Sequence, residues 1–198
     1  MNTVETKHSS LEANSRTRSI GSAWPLLLWL AILIGSSLVF SVGFACAAPF
    51  EAIGAAAAVT LARRDALLVS GVTWLINQCV GYGMLGYPWT FNSVAWGIAL
   101  GAATLIATAS AARMYHMKTA IYKGFRFGIA FATAFLVFEA AIYALALFSL
   151  GGLQDFTIGI VSHVFVINAA TFVALVVLHS LLSQKRLSTV AAVARSHS

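Results

Sequence analysis

Charged residues are scarce in this chain, and their scarcity excludes an ordinary soluble domain. Only 9% of the 198 residues are Asp, Glu, Lys or Arg, whereas 60% are hydrophobic. Soluble domains carry about 25% charged and about 45–50% apolar residues. Together with a mean hydropathy of +0.86, this composition predicts an integral membrane protein.

Motifs for catalysis are absent as well. The sequence contains no Gly-rich phosphate loop, no metalloprotease His/Glu pair, no serine elbow and no ATP-binding motif. It also shows no internal repeat of the kind that builds many secondary transporters. We therefore predict that the protein is not an enzyme and has no prosthetic group.

Long apolar runs make up most of what remains. A helix needs about 20 residues to cross the hydrocarbon, and these runs do not alternate as barrel strands do. We predict an all-α fold, a compact bundle of six transmembrane helices at 23–44, 46–62, 66–85, 91–112, 124–150 and 157–182. The bundle domain covers residues 22–183, between a polar leader at 1–21 and a tail at 184–198.

The second predicted helix is the shortest, and it carries Pro49 and Glu51 near its start. Irregular backbone at membrane depth is tolerated where it is buried in protein or lines a watery cavity. We therefore expect this helix to begin away from lipid.

The basic residues predict the orientation of the bundle. All twelve Lys and Arg lie in the leader, in or beside the connections after the second and fourth helices, or in the tail. Because such residues stay in the cytoplasm, both termini are predicted to be cytoplasmic. Topology and attraction to anionic lipid then account for the net charge of +6 without a nucleic-acid partner.

Cys79 is the most distinctive candidate for specific chemistry. It lies about 20 Å along the third predicted helix from the cytoplasmic end, in the outer half of the membrane. A thiolate is a soft ligand suited to a transition metal. The competing interpretation is a small hydrophobic residue that fills a gap in the core.

The neighbours of Cys79 favour a binding site. Unpaired amides are costly inside a membrane, glycines let a ligand approach the backbone, and aromatic rings offer broad faces. The predicted ligand-contacting residues are Asn77, Gln78, Cys79, Tyr82, Gly83, Tyr87, Trp89, Asn92, Trp96 and His163. They predict an outward-opening pocket for a large, flat, partly polar molecule. An aromatic belt at the membrane interface is the alternative for Tyr87 and Trp89.

Other residues in or near the membrane allow two interpretations each. Glu139 is either functional or hydrogen-bonded to a neighbouring helix, and His163 either faces the pocket or packs. Cys46 is able to form a disulfide with Cys79, which would replace the ligand role. The small residues Ala31 and Gly35 serve either internal packing or the docking of another protein.

Six helices, cytoplasmic termini and the segment from Asn77-Gln78-Cys79 to Leu85-Gly86-Tyr87-Pro88 resemble the S-components of energy-coupling-factor transporters. More narrowly, the chain resembles the BtuM-type solitary cobalamin transporters of Gram-negative bacteria. The resemblance implies an inner-membrane protein that imports cobalamin or a related corrinoid, with Cys79 as axial cobalt ligand. It also implies that Ala31 and Gly35 face a possible energy-coupling module.

Two other functions remain open at this point. The same fold could carry another vitamin, or cobalt or nickel ions, although free metal ions usually require several His or carboxylate ligands. Alternatively, the chain is a non-transporting membrane scaffold in which polar residues only join helix to helix.

Overall fold

The protein is an all-helical bundle in the residues that the computed structural model describes, which are 27–37, 39, 48–117 and 122–196. Its α-helices are α1 (Leu27–Ser37), α2 (Phe50–Thr60), α3 (Arg63–Gly83), α4 (Phe91–His116), α5 (Lys123–Leu145) and α6 (Ile158–Ser196). A π-helical turn, Ala146–Leu150, extends α5, and a short 3-10 helix, Leu153–Asp155, precedes α6. The predicted all-α class is therefore confirmed for these residues.

Local sequence explains where several helices begin and end. Pro49 stands at the N-cap of α2, where a missing backbone N–H costs little. Gly86 adopts a φ of 71° in the turn after α3, a conformation that glycine reaches without strain. Thr90 caps α4 because its hydroxyl accepts a hydrogen bond from the backbone N–H of Ser93 at 3.3 Å.

Helix α2 occupies the centre of the bundle. It packs against α3, α4, α5 and α6, and its residues from Phe50 to Val59 are all buried. It also contacts α1, because Trp29 Nε1 donates a hydrogen bond to Thr60 Oγ1 at 3.1 Å. Small side chains permit this enclosure, since the backbone at Gly54 lies directly against Thr108 of α4.

Consecutive helices run up and down through short connections, so the described arginines Arg63, Arg64, Arg113 and Arg126 lie at one end of the bundle. We call this the arginine end. The guanidinium of Arg126 joins α4 to α5 there by donating to the carbonyl oxygens of Tyr115 and Met117. The α3–α4 turn lies at the opposite end.

Three helical segments are long and apolar enough to cross a membrane: Phe91–His116, Gly124–Leu150 and Ile158–Gln184. Large apolar side chains on their outer faces, such as Ile98, Leu136 and Val173, are exposed. This is the surface expected of a membrane protein.

The described parts of α1 and α2 are shorter. The 11 residues of α2 rise about 16 Å, roughly half of the hydrocarbon thickness. The helix is thus shorter than the predicted span at 46–62. Six complete crossings therefore stay a prediction. Helix α6 continues to Ser196, past residue 183, where the predicted bundle domain ends.

Candidate functional site

Cys79 is a free cysteine exposed on α3. Leu68, Val72 and Leu75 are exposed too, and their spacing of four, three and four residues places all of them on one face of the helix. Thr73 is buried on the other face. The sulfur of Cys79 therefore points away from the bundle interior, along an apolar outer surface.

The buried face of α3 was readable from the sequence. Ser70, Thr73 and Asn77 are polar residues on one face of this helix, and all three are buried, whereas the neighbouring Gln78 is partly exposed. Polar groups at membrane depth usually face the bundle interior. Cys79 lies two residues beyond Asn77, about 200° around the helix, and the pattern thus indicates an outward-facing sulfur.

Side chains of α3 near Cys79 join this helix to α4, and the predicted ligand contact Gln78 is one of them. Trp74 Nε1 donates a hydrogen bond to the carbonyl oxygen of Gly97 at 2.9 Å, and its ring packs on the backbone at Gly101. The side-chain oxygen of Gln78 also lies against Gly97. Glycines on α4 thus receive large side chains from α3, which brings the two helices close together.

The end of this α3–α4 hairpin is an aromatic cluster formed by Tyr82, Tyr87 and Trp89. The ring centroid of Tyr82 lies 4.6 Å from that of Trp89 and 5.7 Å from that of Tyr87. The Tyr82 hydroxyl is 3.0 Å from the Ser93 hydroxyl, within hydrogen-bonding distance. Tyr87 packs on the backbone at Gly81, whereas Trp89 is 78% exposed. Only part of the cluster is therefore accessible from outside.

The remaining predicted contacts are spread over the surface. Asn92 and Gly83 are exposed, and Trp96 is half-buried on α4. His163 is exposed on α6. Since α3 packs mainly on α2 and α4 whereas α6 packs mainly on α2, His163 and Cys79 lie on helices that touch each other slightly at most.

The small residues of α1 leave an open face. Ala31 is exposed, and a Cβ atom added to Gly35 would meet no atom within 4 Å. Internal packing, one of the two roles predicted for small residues, therefore fits Gly54 of α2 better than Ala31 and Gly35 of α1. Cys46, the possible disulfide partner of Cys79, lies outside the described residues.

A buried polar centre is the feature that sequence reasoning did not assemble. Glu51 is 2% exposed, and its carboxyl group is hydrogen-bonded to the side chain of Asn168 and interacts electrostatically with Glu139. Asn168 Oδ1 accepts from the backbone N–H of Ala52 at 3.0 Å, and its Nδ2 donates to the carbonyl oxygen of Val164 at 3.1 Å. The sequence signal was an acidic residue two positions after Pro49, at the start of an apolar helix.

A multidentate site for a free metal ion does not occur in the part of the chain that the structure describes. No group of three or more His, Cys, Asp and Glu side chains there is positioned to hold one. The cobalt of a corrinoid differs, because the ring supplies the equatorial nitrogens and a protein need add only an axial ligand. A single accessible thiolate is chemically sufficient for that role.

Comparisons with known proteins do not assign the chain to a family. It matches no family model, no curated protein and no solved structure.

Proposed function

We propose that the protein is a membrane uptake protein for cobalamin or a related corrinoid, with the Cys79 thiolate as axial cobalt ligand. The observation that carries the proposal is a free and exposed thiol near the end of the bundle opposite the arginines. An enclosed sulfur in this alanine-rich interior would leave no room for a ligand as large as a corrinoid. Cys79 lies one turn before the end of α3 at Gly83, so a ligand at the membrane surface needs to reach only the last turn of the helix.

The surroundings of the sulfur support contact with a flat ring. Gly83 follows Cys79 by one helical turn on the same face, and a Cβ atom there would meet nothing within 4 Å. Leu75, one turn on the other side, is 53% exposed and offers apolar contact. The exposed face of Trp89 lies further towards the hairpin turn.

The proposed setting is the bacterial inner membrane, with up to six crossings and cytoplasmic termini. The clustering of Arg63, Arg64, Arg113 and Arg126 at one end supports this orientation, because basic residues remain cytoplasmic. Cys79 then lies towards the periplasm, the side from which a corrinoid arrives. An energy-coupling module on the open face of Ala31 and Gly35 belongs to the same proposal.

The test is the absorbance spectrum of protein purified in the presence of cobalamin. We expect a spectrum shifted from that of the free vitamin, because a thiolate replaces an axial ligand of cobalt. Cys79→Ala should abolish the shift. Cys46→Ala, the matched control for thiol removal, should retain it. A free-ligand spectrum with both wild type and Cys79→Ala contradicts the proposal.

A non-transporting membrane scaffold is the second candidate, favoured by one observation. The glycines and aromatic residues beside Cys79 pack on one another between α3 and α4, as they would in a purely structural hairpin. In that case Cys79→Ser is silent in corrinoid-dependent growth, and cells that express the protein accumulate no labelled cobalamin beyond cells without it.

A further inference from the structure

Polar side chains of α2, α3 and α4 meet at one height of the bundle. Thr108 Oγ1 donates to Ser70 Oγ at 3.1 Å, and Thr108 also lies against the backbone at Gly54. These three residues therefore share a level. On α3, Thr73 lies three residues further from the arginine end than Ser70, and on α2 Glu51 lies three residues further than Gly54. Thr73 and Glu51 therefore share the next level, about 4.5 Å away.

Helix α1 adds a hydroxyl group at the same height. Trp29 is hydrogen-bonded to Thr60, which aligns the two helices. Ser37 lies eight residues along α1 from Trp29, and Ala52 lies eight residues along α2 from Thr60. Because Trp29, Leu33 and Ser37 are all buried on one face, the Ser37 hydroxyl points inward at the level of Ala52.

Helices α5 and α6 complete the layer. Asn168 binds both the Ala52 backbone and the Glu51 carboxyl group. Glu139 of α5, which is half-buried, interacts with Glu51 through its charge. The buried polar layer thus consists of Ser37, Glu51, Thr73, Glu139 and Asn168.

Two members of the layer have an unused hydrogen-bonding group. Ser37 Oγ and Thr73 Oγ1 are buried, each residue being 1% exposed, and neither atom has a hydrogen-bond partner. A buried polar atom without a partner is costly and calls for an explanation such as a ligand or water. A hydroxyl can either donate or accept. The hydroxyls of Ser37 and Thr73 are therefore able to donate to, or accept from, a group or water that enters the layer.

No positive charge faces Glu51 from the described residues around it. On its level α5 contributes Glu139, α6 contributes the amide of Asn168, and α1 and α3 contribute hydroxyls. Helix α4 contributes Thr104, whose hydroxyl donates to the Leu100 carbonyl oxygen.

The other titratable groups of the described helices lie elsewhere. Cys79, Tyr143 and His163 are exposed, and Tyr82 belongs to the aromatic cluster. His179 packs against Trp29, towards the arginine end. An ionised Glu51 would therefore have no positively charged partner among the described residues on its level.

We propose that the buried polar layer is a proton-binding site in which the Glu51 carboxyl group takes up a proton from one side of the membrane and releases it to the other. Glu139 lies close enough to Glu51 for their charges to interact, and Asn168 attaches the start of α2 to α6 through the backbone N–H of Ala52. Such a site would couple transport to a proton gradient. It does not depend on Cys79 or on the identity of the cargo.

The test is carbodiimide labelling of the full-length protein in liposomes, followed by peptide mass spectrometry. Dicyclohexylcarbodiimide modifies protonated carboxyl groups in apolar surroundings. We expect an adduct on Glu51 that decreases several-fold between about pH 6 and about pH 9, as the carboxyl group loses its proton. Glu51→Gln should abolish the adduct, and Glu12→Gln, a control in the polar leader, should leave it unchanged.

A second variant tests the role of Glu139. Glu139→Gln replaces the neighbouring carboxyl group by a neutral amide, so it should change the pH at which labelling of Glu51 declines. Absence of a Glu51 adduct in wild-type protein at about pH 6 overturns the proposal, and this result does not require any variant to fold. Protection by sodium ions but not by choline also overturns it, in favour of a metal-cation site. The labelling assay does not involve corrinoid binding. A failure of the proton-site proposal can therefore be told apart from a failure of the uptake proposal.

Discussion

At the scale of single residues, glycine decides how closely the helices approach. Gly54, Gly97 and Gly101 each lie at a contact between two helices, and Gly81 lies against the Tyr87 ring of the following turn. Gly35, Gly83 and Gly128 have no neighbouring atom within 4 Å of an added Cβ. The first group is therefore sensitive to any added side chain, whereas the second is not.

Gly101→Ala should lower stability, because its Cβ would overlap the Trp74 ring, which is held by a hydrogen bond to Gly97. Overpacking of this kind costs about 1–3 kcal/mol. The measurement is the thermal unfolding midpoint in one detergent. Gly128→Ala is the matched control and should keep or raise the midpoint, because alanine favours a helix. Equal midpoints for the two variants would show that α3 and α4 are less closely packed than described.

At the scale of elements, α6 is attached to the central helix through Asn168. This side chain accepts from the Ala52 backbone N–H and binds the Glu51 carboxyl group. Aromatic residues reinforce the α5–α6 side, where the rings of Phe131 and Phe172 stack at 5.1 Å. A polar contact at the centre and ring contacts beside it thus hold α6 in place.

Asn168→Leu should destabilise the bundle. It leaves the buried N–H of Ala52 without an acceptor, which costs about 1–3 kcal/mol. Unfolding in denaturant, followed by tryptophan fluorescence, measures the effect. Asn92→Leu is the control because Asn92 is exposed, and its midpoint should stay close to that of the wild type. A midpoint for Asn168→Leu that equals the control would mean that the α2–α6 hydrogen bond contributes little.

Hydropathy predicted the long elements well. The predicted helices at 91–112, 124–150 and 157–182 agree with Phe91–His116, Gly124–Leu150 and Ile158–Gln184 to within a few residues. Long apolar runs leave little choice of structure, because backbone groups in lipid must bond within a helix. The second helix was predicted too long, since it begins only after Pro49.

The site was harder to predict, because hydropathy does not fix the rotation of a helix about its axis. Apolar residues surround α3, with Val69 buried and Leu68 exposed, so only the polar residues Ser70, Thr73 and Asn77 indicate which face is buried, and Gln78 beside Asn77 weakens that signal. The partnership of Glu51 with Asn168 spans 117 positions in the chain. No local sequence pattern predicts a contact between residues so far apart in the sequence. This contact is determined only by the packing of α6 on α2.

At the scale of the whole molecule, the arginine end and the apolar outer faces predict an oriented membrane protein. We expect the chain to remain in the membrane fraction after an alkaline carbonate wash and to require detergent for extraction. A fluorescent protein fused after Ser198 should fluoresce, and alkaline phosphatase at the same position should be inactive, because the C-terminus is predicted to be cytoplasmic. The reverse pattern would invert the bundle and place Cys79 towards the cytoplasm.

The enclosure of α2 changes what selection acts upon in that helix. A helix enclosed by protein on every side does not need hydrophobic side chains for contact with lipid. The volume of its side chains is then the property that must be kept. Serine in place of Ala55 or Ala57, each wholly buried, fits the available space and can bond to its own helix backbone, whereas leucine would force the surrounding helices apart. The central helix α2 is therefore able to accommodate a small polar side chain although it is buried on every side.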